Sequence, residues 1–387
     1  MKNIKSILAL ALVGSISVSG TIYANPAFSR TQEEWDKLKD NKLEYGEIQG
    51  LIEEYNATVL KNNINYNKFR KDFGDTNSKV AEKYREMANE IESKMQEPDP
   101  DSPSYVSQLA SKASSYATVE NLKKSADTSL EDSQIQRYNF DAAKYQLVQV
   151  AENNMITYYN DMSAIDNAKL AKEKAELDLN LANVKFSSGK ATNTGVLDAK
   201  EALLKSTQNI SSAEADFNSV RSKLMVMCGW SFDANPEFGA LPDINFEERI
   251  NAMDTAKDTQ TAIDNNYTLK ANLRKLENSR SADQKDELNK TIANNKSTIA
   301  TTMTTAYQNV LSARDAYNYA ISNANLQDTN LQMINKKFSL GAVSKYDLQV
   351  QEVTKKQADI ASLQARYALF TAINNYEWNL KGLAKAE

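Results

Sequence analysis

Apolar residues recur every seven positions along three long stretches of the chain. After Gly189, one line consists of Val196, Leu203, Ile210, Phe217 and Leu224, with Ala199, Ala213, Val220 and Met227 beside it. Two further lines start at Ile292 and Met303, and a third stretch runs through Val353, Ile360 and Tyr367. This is the spacing of the a and d positions of packed helices. It predicts long helices whose apolar seams pack against one another.

Residues that end helices are few, so the predicted helices are long. The chain has 11 Gly and 6 Pro among 387 residues. They interrupt the pattern at 97–104 (EPDPDSPS), at Gly189, at 229–245 and at Gly341, and a weaker break lies at 278–283. Between 104 and 187 the pattern is helical throughout, which predicts one helix of about 120 Å. We therefore expect an all-α, elongated fold of antiparallel helical hairpins.

One short block occurs twice, at 185–192 (KFSSGKAT) and at 337–344 (KFSLGAVS). A glycine at a helix C-terminus adopts the left-handed conformation that ends the helix. Thr192 and Ser344 are then placed to cap the next helix. Asp347 follows Ser344 by three positions, so the second cap is expected to be a capping box and the stronger of the two. Each block predicts a tight turn between antiparallel helices, whether or not the turn has a further role.

The duplicated block indicates two helical repeats, residues 25–245 and 246–387. The helix after each block ends at a glycine, Gly229 or Gly382. The segment 51–56 (LIEEYN) near the start of the first repeat is loosely similar to 261–266 (TAIDNN) near the start of the second. We expect the two repeats to stack side by side.

The first 24 residues have the pattern of a secretory signal peptide. Lys2 and Lys5 precede an apolar stretch at 7–18, and Ala24 is a small residue at the expected cleavage point. The alternative is an uncleaved membrane anchor, although the apolar stretch is shorter than the ~20 residues that a spanning helix needs. We expect an exported protein.

Composition argues against several classes of function. The chain has no histidine, and it carries none of the common nucleophile, metal or phosphate-binding motifs. We therefore expect no enzyme, no cofactor and no metal site. The formal net charge of −5 disfavours nucleic acid as a partner. Cys228 is the only cysteine, and we expect it to pack at a helix end.

The two blocks resemble the repeats of the TolC-type outer-membrane efflux proteins, in which an aromatic-x-x-Gly turn, a Ser or Thr cap and a Leu-Asp-Ala-like helix start follow one another. The matching residues are Phe186, Gly189, Thr192 and 196–199 (VLDA) in the first repeat, and Phe338, Gly341, Ser344 and 347–348 (DL) in the second. The resemblance implies a homotrimer that forms a helical duct. It also implies that the turns bind a periplasmic adaptor attached to a membrane pump. The partner-binding residues would be Phe186, Ser187, Gly189, Lys190, Thr192, Phe338, Leu340, Gly341, Ala342 and Ser344.

The chain departs from this family in two ways. The gaps at 97–119 and 278–283 lack the ~9–11 alternating residues of a membrane-spanning strand, so we expect the TolC-like fold without its β-barrel. Val343 and Gly195 stand where the family places a charged gate at the turns. Two hypotheses remain open. One is a TolC-like efflux or export conduit component in the cell envelope, outer-membrane associated by resemblance. The other is a structural coiled-coil protein of the envelope without a transport role.

Overall fold

The computed structural model describes residues 30–387, and the signal peptide expected at 1–24 lies outside these residues. The helices are α1 (Gln32–Lys39), α2 (Ile48–Tyr55), α3 (Ala57–Phe73), α4 (Asn77–Ser93), α5 (Tyr105–Thr128), α6 (Ser133–Ser187), α7 (Asn193–Met227), α8 (Phe246–Asn251), α9 (Thr255–Asn265), α10 (Tyr267–Asn278), α11 (Ala282–Ser339) and α12 (Lys345–Trp378). Two short strands, β1 (Lys42–Leu43) and β2 (Glu237–Phe238), pair in parallel. The prediction of an elongated, all-α fold is confirmed.

The four long helices form one layer in the order α7–α6–α12–α11. α6 and α7 make the first hairpin, α11 and α12 make the second, and α6 packs antiparallel along α12. At one end of this pair, Trp378 Nε1 donates to Glu152 Oε2 at 2.6 Å. At the other end, the Tyr346 hydroxyl donates to Asp178. Both hairpin turns therefore lie at the same end of the molecule, and α7 and α11 are the two edges of the layer.

The continuous helix expected between 104 and 187 was wrong, because the chain breaks between α5 and α6. Asp132 makes this break, since its Oδ1 accepts from the Ile135 backbone N–H at 3.0 Å and caps α6. Its Oδ2 accepts from Arg274 Nε at 2.6 Å. The carboxylate is fully buried, so both bonds offset the cost of removing its charge from water. An ion pair between distant segments, in which only the carboxylate is fully buried, thus fixes the start of α6.

The helices before this break, α4 and α5, form a separate hairpin. They pack on each other through Ala88, Val119 and Leu122. Asn77 Nδ2 holds the base by donating to the Ser129 carbonyl at 2.8 Å. α6 starts beside this base and runs 55 residues to the first hairpin turn, which is about 80 Å at 1.5 Å per residue. The α4–α5 hairpin therefore projects from the end opposite the two turns.

The large buried side chains are concentrated in the half of the molecule away from the turns. One cluster includes Ile52, Met155 and Leu224, and another includes Ile299 and Tyr376. Here α2, α3, α9 and α10 cover the long helices. Nearer the turns no further helix within residues 30–387 covers the layer of long helices. The apolar seam predicted for α7 is therefore buried at Val196 and Leu224, near its two ends, and half-buried between them.

The similarity between 51–56 and 261–266 has a structural basis. Asn56 Nδ2 donates to the Met227 carbonyl at 2.8 Å, just before Gly229. Asn266 Nδ2 donates to the Ala384 carbonyl at 2.7 Å, just after Gly382. In both places an asparagine that caps the following helix also holds the chain end of the long hairpin. The same asparagine contact, called the clasp below, thus joins the chain end of each long hairpin to the short helices that precede the hairpin.

Two further findings concern membrane contact and the cysteine. Among residues 30–387, no helix combines the length and the apolar character that crossing a membrane requires.

Cys228 is buried at the end of α7, which confirms its expected packing role, and burial raises the pKa of its thiol to about 12.

Candidate partner-binding site at the hairpin turns

Both hairpin turns have the same backbone structure. Gly189 and Gly341 adopt left-handed φ values of 72° and 70°. After the first, the Lys190 N–H bonds the Lys185 carbonyl at 2.8 Å, and after the second the Ala342 N–H bonds the Lys337 carbonyl at 2.8 Å. These are the hydrogen bonds of a Schellman motif. The prediction that each glycine ends its helix in the left-handed conformation is confirmed.

The capping box predicted at Ser344 is confirmed, whereas the weaker cap predicted at Thr192 was wrong. Ser344 Oγ accepts from the Asp347 N–H at 3.2 Å, and Asp347 Oδ2 accepts from the Ser344 N–H at 2.9 Å, which completes a capping box. Thr192 has extended backbone angles but makes no side-chain cap. The second turn is therefore fixed on both sides by hydrogen bonds, whereas the first is fixed only on its α6 side.

All ten residues proposed from the sequence lie at the two turns and are exposed. Phe186 and Phe338 occupy equivalent positions, with 47% and 40% of their surface exposed. The surfaces differ beyond these phenylalanines. The first turn presents Ser188 and Lys190, whereas the second presents Leu340, which is 82% exposed. An exposed leucine on a rigid turn is a good candidate contact for an apolar partner.

A hydrogen bond joins the two hairpins just behind the turns. The Tyr346 hydroxyl donates to Asp178 Oδ1, and this bond raises the pKa of Tyr346 to about 12. The phenol therefore stays protonated at physiological pH and continues to donate. Lys174 Nζ also contacts Asp178, at 2.8 Å. The bond between Tyr346 and Asp178 therefore ties α6 to the start of α12, close to the second turn.

The second cap predicts a local dependence on pH. The hydrogen bonds from Ser344 lower the pKa of Asp347 below its ordinary value of 3.8. A lowered pKa means that the capping box stabilises the folded turn fully above that value and is lost as the pH falls through the lowered pKa. Hydrogen-exchange protection in the first turn of α12 should therefore decrease below pH 4, while that of α7 should not. Equal decreases in both helices, or a decrease that persists in Asp347→Asn, would contradict this assignment.

A further line of apolar residues, not predicted from the sequence, extends from the second turn along the side of α11 that faces away from α12. Its members are spaced seven apart and are exposed in the chain: Tyr319 (75%), Leu326 (55%), Met333 (46%) and Leu340 (82%). On the opposite edge of the layer, α7 exposes Leu197 (55%) and Leu204 (71%). Sequence periodicity could have found the α11 line, but only the fold shows that it lies on an edge.

Apolar residues on the two exposed edges are spaced alike from the glycines of their own turns. Leu197 lies eight residues from Gly189, and Met333 lies eight residues from Gly341. Leu204 and Leu326 lie fifteen residues from the same glycines. Each chain therefore carries two different apolar edges, and both begin near the end of the layer where the turns lie.

The cleft beside Glu152 is the place where catalytic chemistry would be sought. Burial raises the pKa of Glu152, the pattern expected of a general acid or base. The carboxylate, however, already accepts from Trp378 Nε1 at 2.6 Å and from the Tyr45 hydroxyl at 3.4 Å. These bonds join three separate segments of the chain. We interpret Glu152 as a structural link at the centre of the molecule.

Comparison with solved structures identifies the fold. The Campylobacter jejuni CmeC outer membrane channel matches with a TM-score of 0.56 at 11% identity, covering 98% of this chain and 95% of the channel. The outer-membrane channel OprN matches with a TM-score of 0.56 at 10% identity, covering 90% of this chain and 92% of that one. No family model and no curated protein matches the sequence. The chain has the fold of TolC-type outer-membrane channels, as the turn motifs predicted.

Proposed function

We propose that the protein is a component of an efflux or export conduit in the cell envelope, and that three copies assemble into a helical duct. One observation carries the proposal: the layer of four helices ends in two different apolar edges, and both begin near the hairpin turns. The likeness in fold to outer membrane channels supports it. The role is one of passage and assembly, not of catalysis.

The edges determine what kind of assembly is possible. Leu197 and Leu204 lie on α7, while Leu326 and Met333 lie on α11, so an interface between them joins two unlike surfaces. Contacts of this type are heterologous, and they give closed rings when the rotation closes. Each copy in such a ring contributes one α7 edge and one α11 edge. All hairpin turns then lie on one rim.

The assembly is tested by sedimentation of the protein from residue 25 onward over a range of concentrations. We expect a mass three times that of the monomer. A protein that remains monomeric at the highest concentrations would contradict the conduit and favour a structural role in the envelope.

We further propose that the rim formed by the turns binds an adaptor protein of a transport complex, with Leu340 as the main apolar contact. Leu340→Asp would place a carboxylate where an apolar partner packs. In the source organism, we expect cells that carry this variant to retain at least ten times more of a fluorescent dye that the conduit exports than cells that carry the wild-type gene. Retention should approach that of a deletion strain.

The matched control is Lys336→Asp, a change of charge at an exposed residue in the last turn of α11, four residues before Leu340. It should leave dye retention close to the wild-type value. Both variants should keep the mass of the wild-type assembly, because Leu340 belongs to the rim and not to the part of the edge that we assign to the interface between copies. Normal retention in Leu340→Asp would contradict the role of the turns.

A further inference from the structure

The α4–α5 hairpin is attached rigidly to the rest of the molecule. Arg280 donates to the Ala126 carbonyl at 3.0 Å and to Asn77 Oδ1 at 2.8 Å. Gln284 Nε2 donates to the Thr128 carbonyl at 3.1 Å. Since these residues precede and begin α11, the base of the hairpin is fixed to the layer of long helices. The orientation of the hairpin is therefore set by the fold.

The apolar side of α5 changes direction along the helix. In the half near the base, Val119 and Leu122 face α4 and are buried. In the outer half the apolar side faces solvent instead: Tyr105, Val106, Leu109 and Tyr116 are 36%, 80%, 45% and 49% exposed. The outer half thus has a partly exposed apolar face over about 18 Å of helix, on which Lys112 Nζ lies 5.7 Å from the centre of the Tyr116 ring.

The polar side of the same outer half is turned inward. Gln108 accepts from the Asp99 N–H at 2.9 Å and donates to Ser104 Oγ at 3.0 Å. Lys112 pairs with Glu97 of the loop between α4 and α5. The loop therefore occupies the polar side of α5 and leaves its apolar side uncovered. This arrangement is the reverse of an ordinary surface helix, in which the apolar side faces the core.

The charged residues around this apolar face indicate which kinds of partner could bind it. Lys112 is the only charged residue between 102 and 119, and it is turned towards Glu97. No basic residue occurs from 95 to 111, and the loop carries Glu97, Asp99 and Asp101. A surface of anionic lipids would repel such a segment. The exposed side of α4 is densely charged, with Glu82, Arg85, Glu86 and Glu90, so it does not complement an apolar face either.

We propose that the outer half of α5 packs against the same segment of the other copies. The face is spaced for this, because Val106, Leu109, Ala113 and Tyr116 follow the three-four spacing of a coiled-coil seam. In a ring, each hairpin starts from an equivalent base, so identical residues lie at the same height. The three hairpins form a small parallel bundle at the end opposite the turns. This inference rests on the trimeric ring proposed above.

The inference is tested with single cysteines in the full mature chain. Cys228 is buried and burial raises its pKa to about 12, so an introduced cysteine is the only reactive thiol. Leu109→Cys lies on the apolar face, and Ser107→Cys, two residues away, points to the other side of the helix. Under copper-catalysed oxidation by air, we expect Leu109→Cys to form disulfides between copies at least ten times faster than Ser107→Cys.

The outcomes distinguish this inference from the proposed function. A trimer in which both cysteines cross-link equally slowly would overturn the bundle and leave the ring intact. A monomer would overturn both. A second variant, Leu109→Glu, should keep the mass of the trimer but slow the cross-linking of an added Ala113→Cys at least tenfold. Binding of the wild-type protein to phosphatidylcholine vesicles that Leu109→Glu abolishes would assign the face to lipid and overturn the bundle.

Discussion

Replacing Gly382 by alanine is expected to destabilise the protein by about 4 kcal/mol, a large part of the stability of a typical domain. Gly382 has φ 109°, which an L-residue adopts only at a cost of about 1–3 kcal/mol. An added Cβ would also lie 2.5 Å from the Asn265 carbonyl oxygen, a backbone atom that cannot move aside easily. The resulting shift would break the bonds of Asn266 to the chain end, each worth about 1 kcal/mol. Denaturant unfolding measures the change.

The matched control is Gly341→Ala at the second hairpin turn. Gly341 also has a positive φ, of 70°, but no atom lies within 4 Å of a Cβ built there. Only the backbone cost remains, about 1–2 kcal/mol. Gly229→Ala should behave like Gly382→Ala, because its Cβ would meet Tyr55. Equal losses of stability for Gly341→Ala and Gly382→Ala would show that the clasp at the chain end does not hold the second hairpin.

The second large effect is expected at the edges of the layer, where Leu204→Glu or Leu326→Glu should convert the assembly into monomers. Each leucine is mostly exposed within one chain, so either change should alter the stability of the monomer by less than about 0.5 kcal/mol. In a ring the new carboxylate would be buried against leucine without a partner. An unpaired buried charge costs about 3–5 kcal/mol, which weakens association more than 100-fold. Sedimentation measures the loss.

Met162→Glu is the control for this prediction. Met162 is 43% exposed, but it lies on α6, inside the layer and away from both edges. This variant should keep the wild-type mass. If Met162→Glu dissociated the assembly while Leu204→Glu and Leu326→Glu did not, the interface would lie on a face of the layer and the arrangement of edges would be wrong.

The hairpin turns could be predicted closely from the sequence because their structure is local. Gly189 and Gly341 end their helices in the left-handed conformation wherever the rest of the chain lies. The stronger second cap followed from the spacing between Ser344 and Asp347 alone. The resemblance of these motifs to the repeats of TolC-type proteins also indicated the fold.

Features that depend on distant contacts could not be predicted in this way. The break before α6 depends on Asp132. The position of Asp132 is stabilised by its ion pair with Arg274, 142 positions away in the sequence. The sequence shows several parallel apolar lines on α11, but not which of them faces α12 and which remains at an edge. The reversed side of α5 was missed for a related reason. Its two apolar stretches lie on different sides of the helix, so a single apolar stripe does not describe it.

The proposed function assigns different tasks to the two ends of the molecule. One end presents Phe186, Phe338 and Leu340 on the two hairpin turns. The other end carries a helical hairpin with an apolar face that remains partly exposed within residues 30–387. The long helices between them supply the edges that join the copies. Variants at the turns should therefore lose only partner binding, and variants in the outer half of α5 should lose only the contact between the α4–α5 hairpins. Variants at the edges on α7 and α11 should lose assembly.

The most direct test of the ring is a disulfide between the two edges of neighbouring copies. Leu204→Cys on α7 and Leu326→Cys on α11, each fifteen residues from the glycine of its own turn, are introduced together, and the protein is oxidised. The account predicts a covalent species of three chains, with either single cysteine giving no such product. A double variant that remains un-cross-linked while the protein sediments as a trimer, or that stops at two chains, would contradict the closed ring.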